Sequence, residues 1–169
     1  MDLAEALEAY PYHYSNQQVK YVAGIDPPTE AGEADVEKAL ANIDRHFAFA
    51  GTVERFDESM LLMGRALGWQ PFVYDRLNAR PAPLDYSQTT LDRLRSLTAL
   101  DQILYDRIAR RLEITIAEAG YPLSSALQEL HRVLDAFQGI NDGRPREAER
   151  SPVDLPAVAA FLNTDWAAL

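Results

Sequence analysis

The pattern of hydrophobic and polar positions is clearest between residues 46 and 69, where a short apolar run gives way to a helical period. A short apolar run from Phe47 to Ala50 ends at Gly51. After it, large hydrophobic residues recur three or four positions apart: Phe56, Met60, Met63 and Leu67. These two periods predict a buried strand at about residues 47–51, a tight turn, and an amphipathic helix that Gly68 closes. A strand that leads directly into a helix is half of a β-α-β unit, so a sheet is expected.

Apolar residues at helical spacing predict helices along most of the remaining chain. Ser15 is a suitable cap for one of them, and Ser87 or Thr89 for the long region that follows the central segment. Gly120 ends that region, and Pro122 begins the next helix. The predicted helices cover about residues 2–10, 15–24, 33–45, 87–120 with a bend near residues 97–98, 122–137 and 152–166.

The expected fold is mostly α-helical with one or two short strands. An apolar run at residues 71–74 is the candidate for a second strand, in addition to the one at 47–51. Residues 1–138 are expected to form one domain, because the polar, turn-forming composition of residues 139–151 is typical of a linker. A last helix within residues 152–169 would pack on the same domain.

Composition and charge restrict the class of function. The chain has 169 residues, a formal net charge of −10 and a pI of about 4.7, which argue against a nucleic-acid partner. It contains no Cys, which excludes thiolate catalysis and disulfides and favours a reducing compartment. The acidic segment Met1–Glu5 does not resemble a signal peptide, and the apolar runs are too short to span a membrane. We therefore expect a cytoplasmic protein with no membrane partner.

The turn at Gly51 is the first candidate for a binding site. A glycine between a strand and a helix could cradle a phosphate on the N–H groups of the helix. Here Glu54, Asp57 and Glu58 occupy the first turns, complement the helix dipole and would repel an anion. The turn also lacks the spacing of the known phosphate-binding glycine motifs. The sequence therefore argues against phosphate binding at this turn.

The histidines do not form a metal-binding motif. His13, His46 and His131 lie far apart in the sequence, and none is part of an HxxH or HExxH array. A single histidine at the end of a helix or strand is more often structural than a metal ligand. We therefore expect no metal site.

Two further features could carry chemistry. Asp101 and Tyr105 lie one turn apart on a predicted helix, where a carboxylate hydrogen-bonded to backbone or hydroxyl groups is favoured over a catalytic role. The loop that contains Arg76, Asn78 and Arg80 offers two guanidinium groups and an amide to a phosphate or sulfate. Arginines also occur in ordinary solvent-exposed loops, so that interpretation remains open.

Four blocks of the sequence resemble sulfotransferase-family proteins, the group related to the heparan sulfate 2-O-sulfotransferases. The central block, Phe49–Leu62 followed by Leu67-Gly68-Trp69, is similar to the family signature vGlTERFDESLlLL…LGW. The other three blocks of this chain are Asn16–Gly24, Tyr74–Pro81 and Leu100–Tyr105. In this order, they are similar to the family segments NlQtryLaG, Y…lN…RP and LDxxLY. Together the four blocks cover about residues 15–112.

The resemblance implies an α/β fold of the P-loop-like sulfotransferase type, of which this chain would be the C-terminal half. It also implies transfer of a sulfuryl group from 3′-phosphoadenosine-5′-phosphosulfate (PAPS) to an acceptor hydroxyl. If any part of this chain contacts that cofactor, the expected residues are Arg76, Asn78 and Arg80. The family binds the phosphosulfate through a Lys-x-Gly-x-Thr-Thr loop, but neither Lys20 nor Lys38 is followed by Gly-x-Ser/Thr. The cofactor-binding half is therefore expected to be missing, and the chain alone to be inactive.

Two alternatives remain open. The chain could be a non-catalytic helical interaction module or a pseudoenzyme, in which the segment from Pro122 to Leu169 forms a partner or dimer surface. The likeness to the family could also be accidental, and a helix at Phe47–Ala50 would favour that interpretation. The expected partners are accordingly the missing N-terminal sulfotransferase half or a second copy of the chain.

Overall fold

Helices and irregular segments make up the described residues of the computed structural model, which are 1–26, 28–69, 72–74, 85–141 and 156–163. The helices are α1 (Leu3–Ala9), α2 (Gln17–Ala23), α3 (Glu33–His46), α4 (Phe56–Ala66), α5 (Gln88–Leu97), α6 (Ala99–Asn141) and α7 (Pro156–Asn163), and a 3-10 turn covers Pro11–His13. The chain divides into a first unit, Met1–Phe47 with Arg80–Arg110, and a second unit, Ala48–Ala79 with Arg111–Leu169.

The first unit is built around the packing of α2 on α3. α1 begins with a capping box, in which the Asp2 carboxylate accepts from the Glu5 N–H and the Glu5 carboxylate accepts from the Asp2 N–H. α2 ends at Gly24, as the sequence predicts, in the left-handed conformation that glycine adopts most readily (φ 64°). The buried apolar residues of this unit are Ala6, Leu7, Val19, Ala23, Val36, Ala39, Leu40, Leu104 and Ile108.

Two helix N-termini of the first unit are capped reciprocally by Asn16 and Asp101. The Asp101 carboxylate accepts hydrogen bonds from the backbone N–H groups of Gln18 (3.2 Å) and Val19 (2.8 Å) at the start of α2. The Asn16 side-chain oxygen accepts from the N–H groups of Leu100 (2.8 Å) and Asp101 (3.3 Å) at the start of α6. Each side chain satisfies donors that have no partner within their own helix. The structural role predicted for Asp101 is therefore confirmed.

Asn16 also has a backbone conformation that is unusual for its residue type. Its φ of 46° is the only positive value outside glycine in the described part of the chain, and asparagine tolerates this region better than most residues. Its N–H donates to the carbonyl of Leu97 (2.9 Å), the last residue of α5. Because α5 ends there and α6 begins at Ala99, the predicted bend near residues 97–98 is confirmed. The predicted cap of α2, Ser15, is wrong, since the Ser15 hydroxyl donates to Glu30.

The predicted strand at residues 47–51 is absent, because residues 47–55 form an irregular loop. The N–H and C=O groups of Thr52 both bond to the Ser59 hydroxyl of α4, at 3.3 Å each. The side chain of a helix thus satisfies backbone groups that a neighbouring strand would otherwise have to pair. For the second predicted strand, 71–74, residues 72–74 are described, and they too are irregular. The mostly helical character is confirmed, whereas the α/β class is not seen in the described residues.

Gly51 lies where a side chain would collide with this loop. A Cβ atom at position 51 would stand 2.5 Å from the Ser59 hydroxyl oxygen and 2.7 Å from the Phe49 ring. We therefore expect Gly51→Ala to lower the free energy of unfolding by about 1–2 kcal/mol, measured by urea denaturation. Gly32→Ala is the control, because a Cβ there would meet nothing closer than 3.9 Å and should cost less. Equal losses in the two variants would contradict this explanation.

The second unit packs α4 and α7 with the part of α6 that follows Arg111. Two of the hydrophobic residues that recur at helical spacing here, Phe56 and Leu67, are exposed, whereas Leu61 and Leu62 are buried. Apolar residues occupy much of the circumference of this helix, so the period alone does not choose the buried face. The core of the unit consists of Leu61, Leu62, Leu112, Ala119, Leu123, Ala126, Leu130, Val133, Leu134, Phe161 and Leu162.

The helix ends predicted at Gly68 and Gly120 are confirmed. Gly68 has a φ of 65°, and the N–H of Trp69 donates to the carbonyl of Gly64 (2.7 Å), which closes α4 as a Schellman motif. Gly120 has a φ of 54° and interrupts α6. Pro122 follows at the start of the second helical stretch, where its missing N–H costs little.

The predicted domain boundaries lie only partly within the residues that the structure describes. α6 remains helical to Asn141, and residues 142–155, which include most of the predicted linker, lie outside the described residues. α7 lies within the predicted C-terminal helix and packs on α4. The division into a domain at 1–138, a linker at 139–151 and a helix at 152–169 stays a prediction.

Candidate functional site

The predicted cofactor-contacting residues Arg76, Asn78 and Arg80 lie outside the described residues, so their role stays a prediction. Tyr74 is the last described residue before their loop. Its hydroxyl donates a hydrogen bond to Asp57 of α4.

Asp57, in the first turn of α4, joins side chains from two other parts of the second unit. Its carboxylate accepts from the Tyr74 hydroxyl and lies 2.7 Å from Nε2 of His131 on α6. The Asp57 side chain is 12% exposed, whereas that of His131 is 52% exposed. The helix dipole and the two polar contacts stabilise a carboxylate in this position. We call Tyr74, Asp57 and His131 the Asp57 cluster; it presents an oriented imidazole to solvent.

Aromatic rings continue from Tyr74 in a row. Phe56 meets Tyr74 edge to face with 5.2 Å between ring centroids, and Tyr74 lies 6.5 Å from Phe72. Phe72 meets Trp69 edge to face at 5.6 Å. These separations are in the range where aromatic pairs attract each other. The ends of this aromatic row (Trp69, Phe72, Tyr74, Phe56) remain accessible, with Phe56 42% and Trp69 38% exposed.

Gly64 of α4 makes room for the aromatic row. A Cβ atom at position 64 would stand 2.7 Å from the Phe72 ring and 3.4 Å from the Trp69 ring. Phe72 and Tyr74 also pack against the apolar core of the second unit. The row is therefore supported from beneath by α4 and the core.

Arg55 holds the start of α4 through ion pairs. Its guanidinium makes a two-point contact with Glu113 of α6 (2.8 and 3.0 Å) and a further hydrogen bond to Glu58 (3.0 Å). The hydrogen bonds to Glu113, with an added electrostatic contribution from Glu58, raise the pKa of Arg55 above its ordinary value. The same contact lowers the pKa of Glu113. The guanidinium is thus committed to carboxylates of its own chain.

Lys20 is a buried cation of the first unit. Its ammonium lies 3.0 Å from the Glu30 carboxylate and 4.3 Å from the centroid of the Tyr12 ring. The contacts with Lys20 and then with the Ser15 hydroxyl hold the pKa of Glu30 below its ordinary value. Lys20 and Arg55 therefore both form ion pairs with carboxylates of this chain. A phosphosulfate would need cations without such ion pairs, or helix N–H groups, so these two side chains are not suited to bind it.

The remaining histidines take part in packing or lie at a helix end. The His13 ring meets those of Tyr10 (6.1 Å) and Tyr12 (5.7 Å), and His46 is the last residue of α3. Within the described ranges, no group of three or more His, Asp or Glu residues is placed to hold a metal ion. None of the helices in those ranges is both long and apolar enough to cross a bilayer.

The Asp57 cluster is not predicted from the sequence. Sequence reasoning treats Asp57 only as a charge that repels anions, and His131 as an isolated histidine. The two residues are 74 positions apart, and no spacing motif connects them. A local signal does exist, because Asp57 lies in the block similar to the family signature and Tyr74 begins another such block.

Comparison with known proteins identifies the family. The model of the galactose-3-O-sulfotransferase family matches residues 6–138. Galactose-3-O-sulfotransferase 2 of Homo sapiens is 34% identical over 103 residues, which is 59% of this chain and 26% of that protein. Galactosylceramide sulfotransferase of Bos taurus is 31% identical over 75 residues, which is 43% of this chain and 18% of that protein. No solved structure matches the chain.

The family match covers more than half of the chain, so the resemblance to sulfotransferases is confirmed. The chain belongs to the galactose-3-O-sulfotransferase family. The narrower assignment to the heparan sulfate 2-O type is not supported by these matches. The matched region also extends beyond the predicted residues 15–112 at both ends. The chain spans 26% and 18% of the lengths of the two relatives named above.

Proposed function

We propose that this chain contributes the acceptor-side and scaffold portion of a sulfotransferase that transfers a sulfuryl group from PAPS to a galactose hydroxyl. The family match over residues 6–138 carries this proposal. The names of the two relatives, a galactose-3-O-sulfotransferase and a galactosylceramide sulfotransferase, support galactose as the acceptor sugar. The short share of each relative that is matched supports a partial contribution rather than a complete catalytic centre.

The donor side of the reaction is proposed to depend on residues outside the described part of the chain. Sulfuryl transfer, like phosphoryl transfer, needs cationic groups that neutralise charge on the transferred group and a base for the acceptor hydroxyl. Lys20 and Arg55 are engaged by carboxylates, as described above. Arg76, Asn78 and Arg80 remain the candidates for contact with the donor. The chain alone is therefore proposed to be inactive until a cofactor-binding half is supplied.

A transfer assay with a chimaera tests the proposed function. Radiolabelled PAPS and methyl β-D-galactopyranoside are incubated with the chain alone, and with the chain joined in frame to the N-terminal portion of galactose-3-O-sulfotransferase 2 of Homo sapiens. We expect labelled galactoside only from the chimaera, and less of it when Arg76 or Arg80 is changed to Ala. A folded chimaera without activity would contradict the proposal and favour a non-catalytic interaction module.

Calorimetry tests separately whether the chain alone has a binding site for the sulfate donor. The desulfonated product, 3′-phosphoadenosine-5′-phosphate, is titrated into the chain alone. We expect no measurable heat of binding, because the proposed donor site is incomplete. Micromolar binding, about −8 kcal/mol, would show that the chain carries a donor site of its own.

A further inference from the structure

We propose that the aromatic row and the Asp57 cluster together form a binding surface for the acceptor sugar, a pyranoside of the galactose type. The choice of galactose rests on the proposed function. The location of the site rests on the geometry of the second unit alone. Neither the family match nor the relatives assign any residue to acceptor binding.

The aromatic row supplies the apolar half of such a surface. A pyranose ring presents C–H groups on one side, which pack on an aromatic ring, and hydroxyl groups at its edge, which need polar partners. In galactose the axial 4-hydroxyl leaves C3–H, C4–H and C5–H together on the opposite face. Phe56 and Trp69 keep 42% and 38% of their surface open at the two ends of the row, while the core holds Phe72 and Tyr74 in place. Aromatic side chains with a few fixed polar groups are the usual lining of small-molecule sites.

The Asp57 cluster supplies the polar half. Asp57 contacts the hydroxyl of Tyr74, which is a member of the aromatic row, and Nε2 of His131. An imidazole held at Nε2 offers Nδ1 to a further partner, and the half-exposed His131 can reach a sugar hydroxyl with it. Asp57 is thus a positioning residue that orients both the Tyr74 ring and the His131 ring. The sugar face and the sugar hydroxyls would be recognised by groups linked through a single carboxylate.

Packing alone is the competing explanation for this arrangement. It accounts for Phe72, whose ring fills the space above Gly64. It does not account for accessible rings at both ends of the row, or for a half-exposed histidine directed by a largely buried carboxylate. A protein surface that binds a small polar ligand needs both features at once: open apolar area and oriented polar groups.

Saturation-transfer NMR on the full chain tests the binding surface without any sulfate donor. Methyl β-D-galactopyranoside is the probe. Methyl β-D-glucopyranoside, in which C4–H lies on the face opposite C3–H and C5–H, is the stereochemical control. We expect transfer to C3–H, C4–H and C5–H of the galactoside and much weaker transfer to the glucoside. Equal signals from the two sugars, or none from either, would overturn the proposal.

Two variants and a matched control link the NMR signal of the galactoside to residues of the proposed surface. His131→Ala removes one hydrogen bond and is expected to raise the Kd about fivefold. Trp69→Ala should raise it by at least as much through the loss of one end of the row. Tyr121→Ala is the matched control, because Tyr121 is 81% exposed in the same unit and joins none of the described ring contacts. A similar loss of affinity in all three variants would overturn the assignment.

The transfer assay distinguishes failure of this inference from failure of the proposed function. Galactoside binding that His131→Ala weakens, in a chimaera without transferase activity, would support the binding surface and count against the transfer reaction. An active chimaera whose KM for galactoside is unchanged by His131→Ala and Trp69→Ala would overturn the binding surface and leave the reaction standing.

Discussion

Phe161→Ala is expected to lower the free energy of unfolding of the second unit by about 3–5 kcal/mol, the range for large-to-small changes in a packed core. Phe161 is 2% exposed and lies in the same apolar cluster as Leu61 and Leu130. The Arg65 guanidinium lies over its ring, 5.2 Å from the centroid. α7 has only eight residues, and so short a helix depends on the burial of its apolar side chains.

Residue-resolved hydrogen exchange is the measurement for Phe161→Ala. Amide protection should fall in α4, α7 and the part of α6 that belongs to the second unit. Phe161→Leu keeps most of the apolar volume and should cost about 1 kcal/mol. Asn163→Ala is the matched control on the exposed side of α7, with an expected change within about 0.5 kcal/mol. Exchange in Phe161→Ala at the rate of the unmodified chain would show that α7 contributes little to this core.

Asp101→Ala is expected to lower the free energy of unfolding of the first unit by about 2–3 kcal/mol, because the substitution removes a charged acceptor from two backbone donors. The N–H groups of Gln18 and Val19 would lose their partner at the start of α2. The negative charge that complements the dipole of α2 would be lost as well. α2 has seven residues, and a helix of this length does not persist without such support.

Protection of the α2 and α3 amides, again by hydrogen exchange, reports this loss. Asp101→Asn keeps one acceptor oxygen without the charge and should lose roughly half as much. Asp92→Ala is the matched control: it also removes a carboxylate from a helix, but the Asp92–Arg95 pair is exposed and contributes at most about 1 kcal/mol. If Asp101→Ala and Asp92→Ala cost the same, reciprocal capping would not explain the stability of α2.

The ends of helices were predictable because the chemistry that sets them is local. Gly24, Gly68 and Gly120 all occur where the sequence places a helix end, and each has a positive φ. Only glycine enters that region without a steric cost, so its position in the sequence already limits the backbone. Ser87 likewise caps α5 through a hydrogen bond from the N–H of Thr90 (3.1 Å).

The choice of partners was not predictable from local pattern. An apolar run before a glycine predicts a strand at 47–51. In the structure, however, the N–H and C=O groups of Thr52 are hydrogen-bonded to the Ser59 hydroxyl and not to a neighbouring strand. The helical period of α4 was recognised, but the face that it buries was not. Burial depends on what packs against a helix, and here α6 and α7 decide it. The cap of α2 comes from Asp101, whose partners Gln18 and Val19 lie 83 and 82 positions away.

The sequence by itself determined the helical composition, the helix ends and the membership of the chain in a sulfotransferase family. These depend on residue types at short spacing, which a linear pattern records. The tertiary structure decided which faces are buried and which side chains meet. The segment between residues 46 and 69 shows the division: its helix and its family likeness are visible in the sequence. The contact of Asp57 with Tyr74 and His131 exists only after α4, α6 and the segment at 72–74 have packed, because no short-range spacing joins residues so far apart.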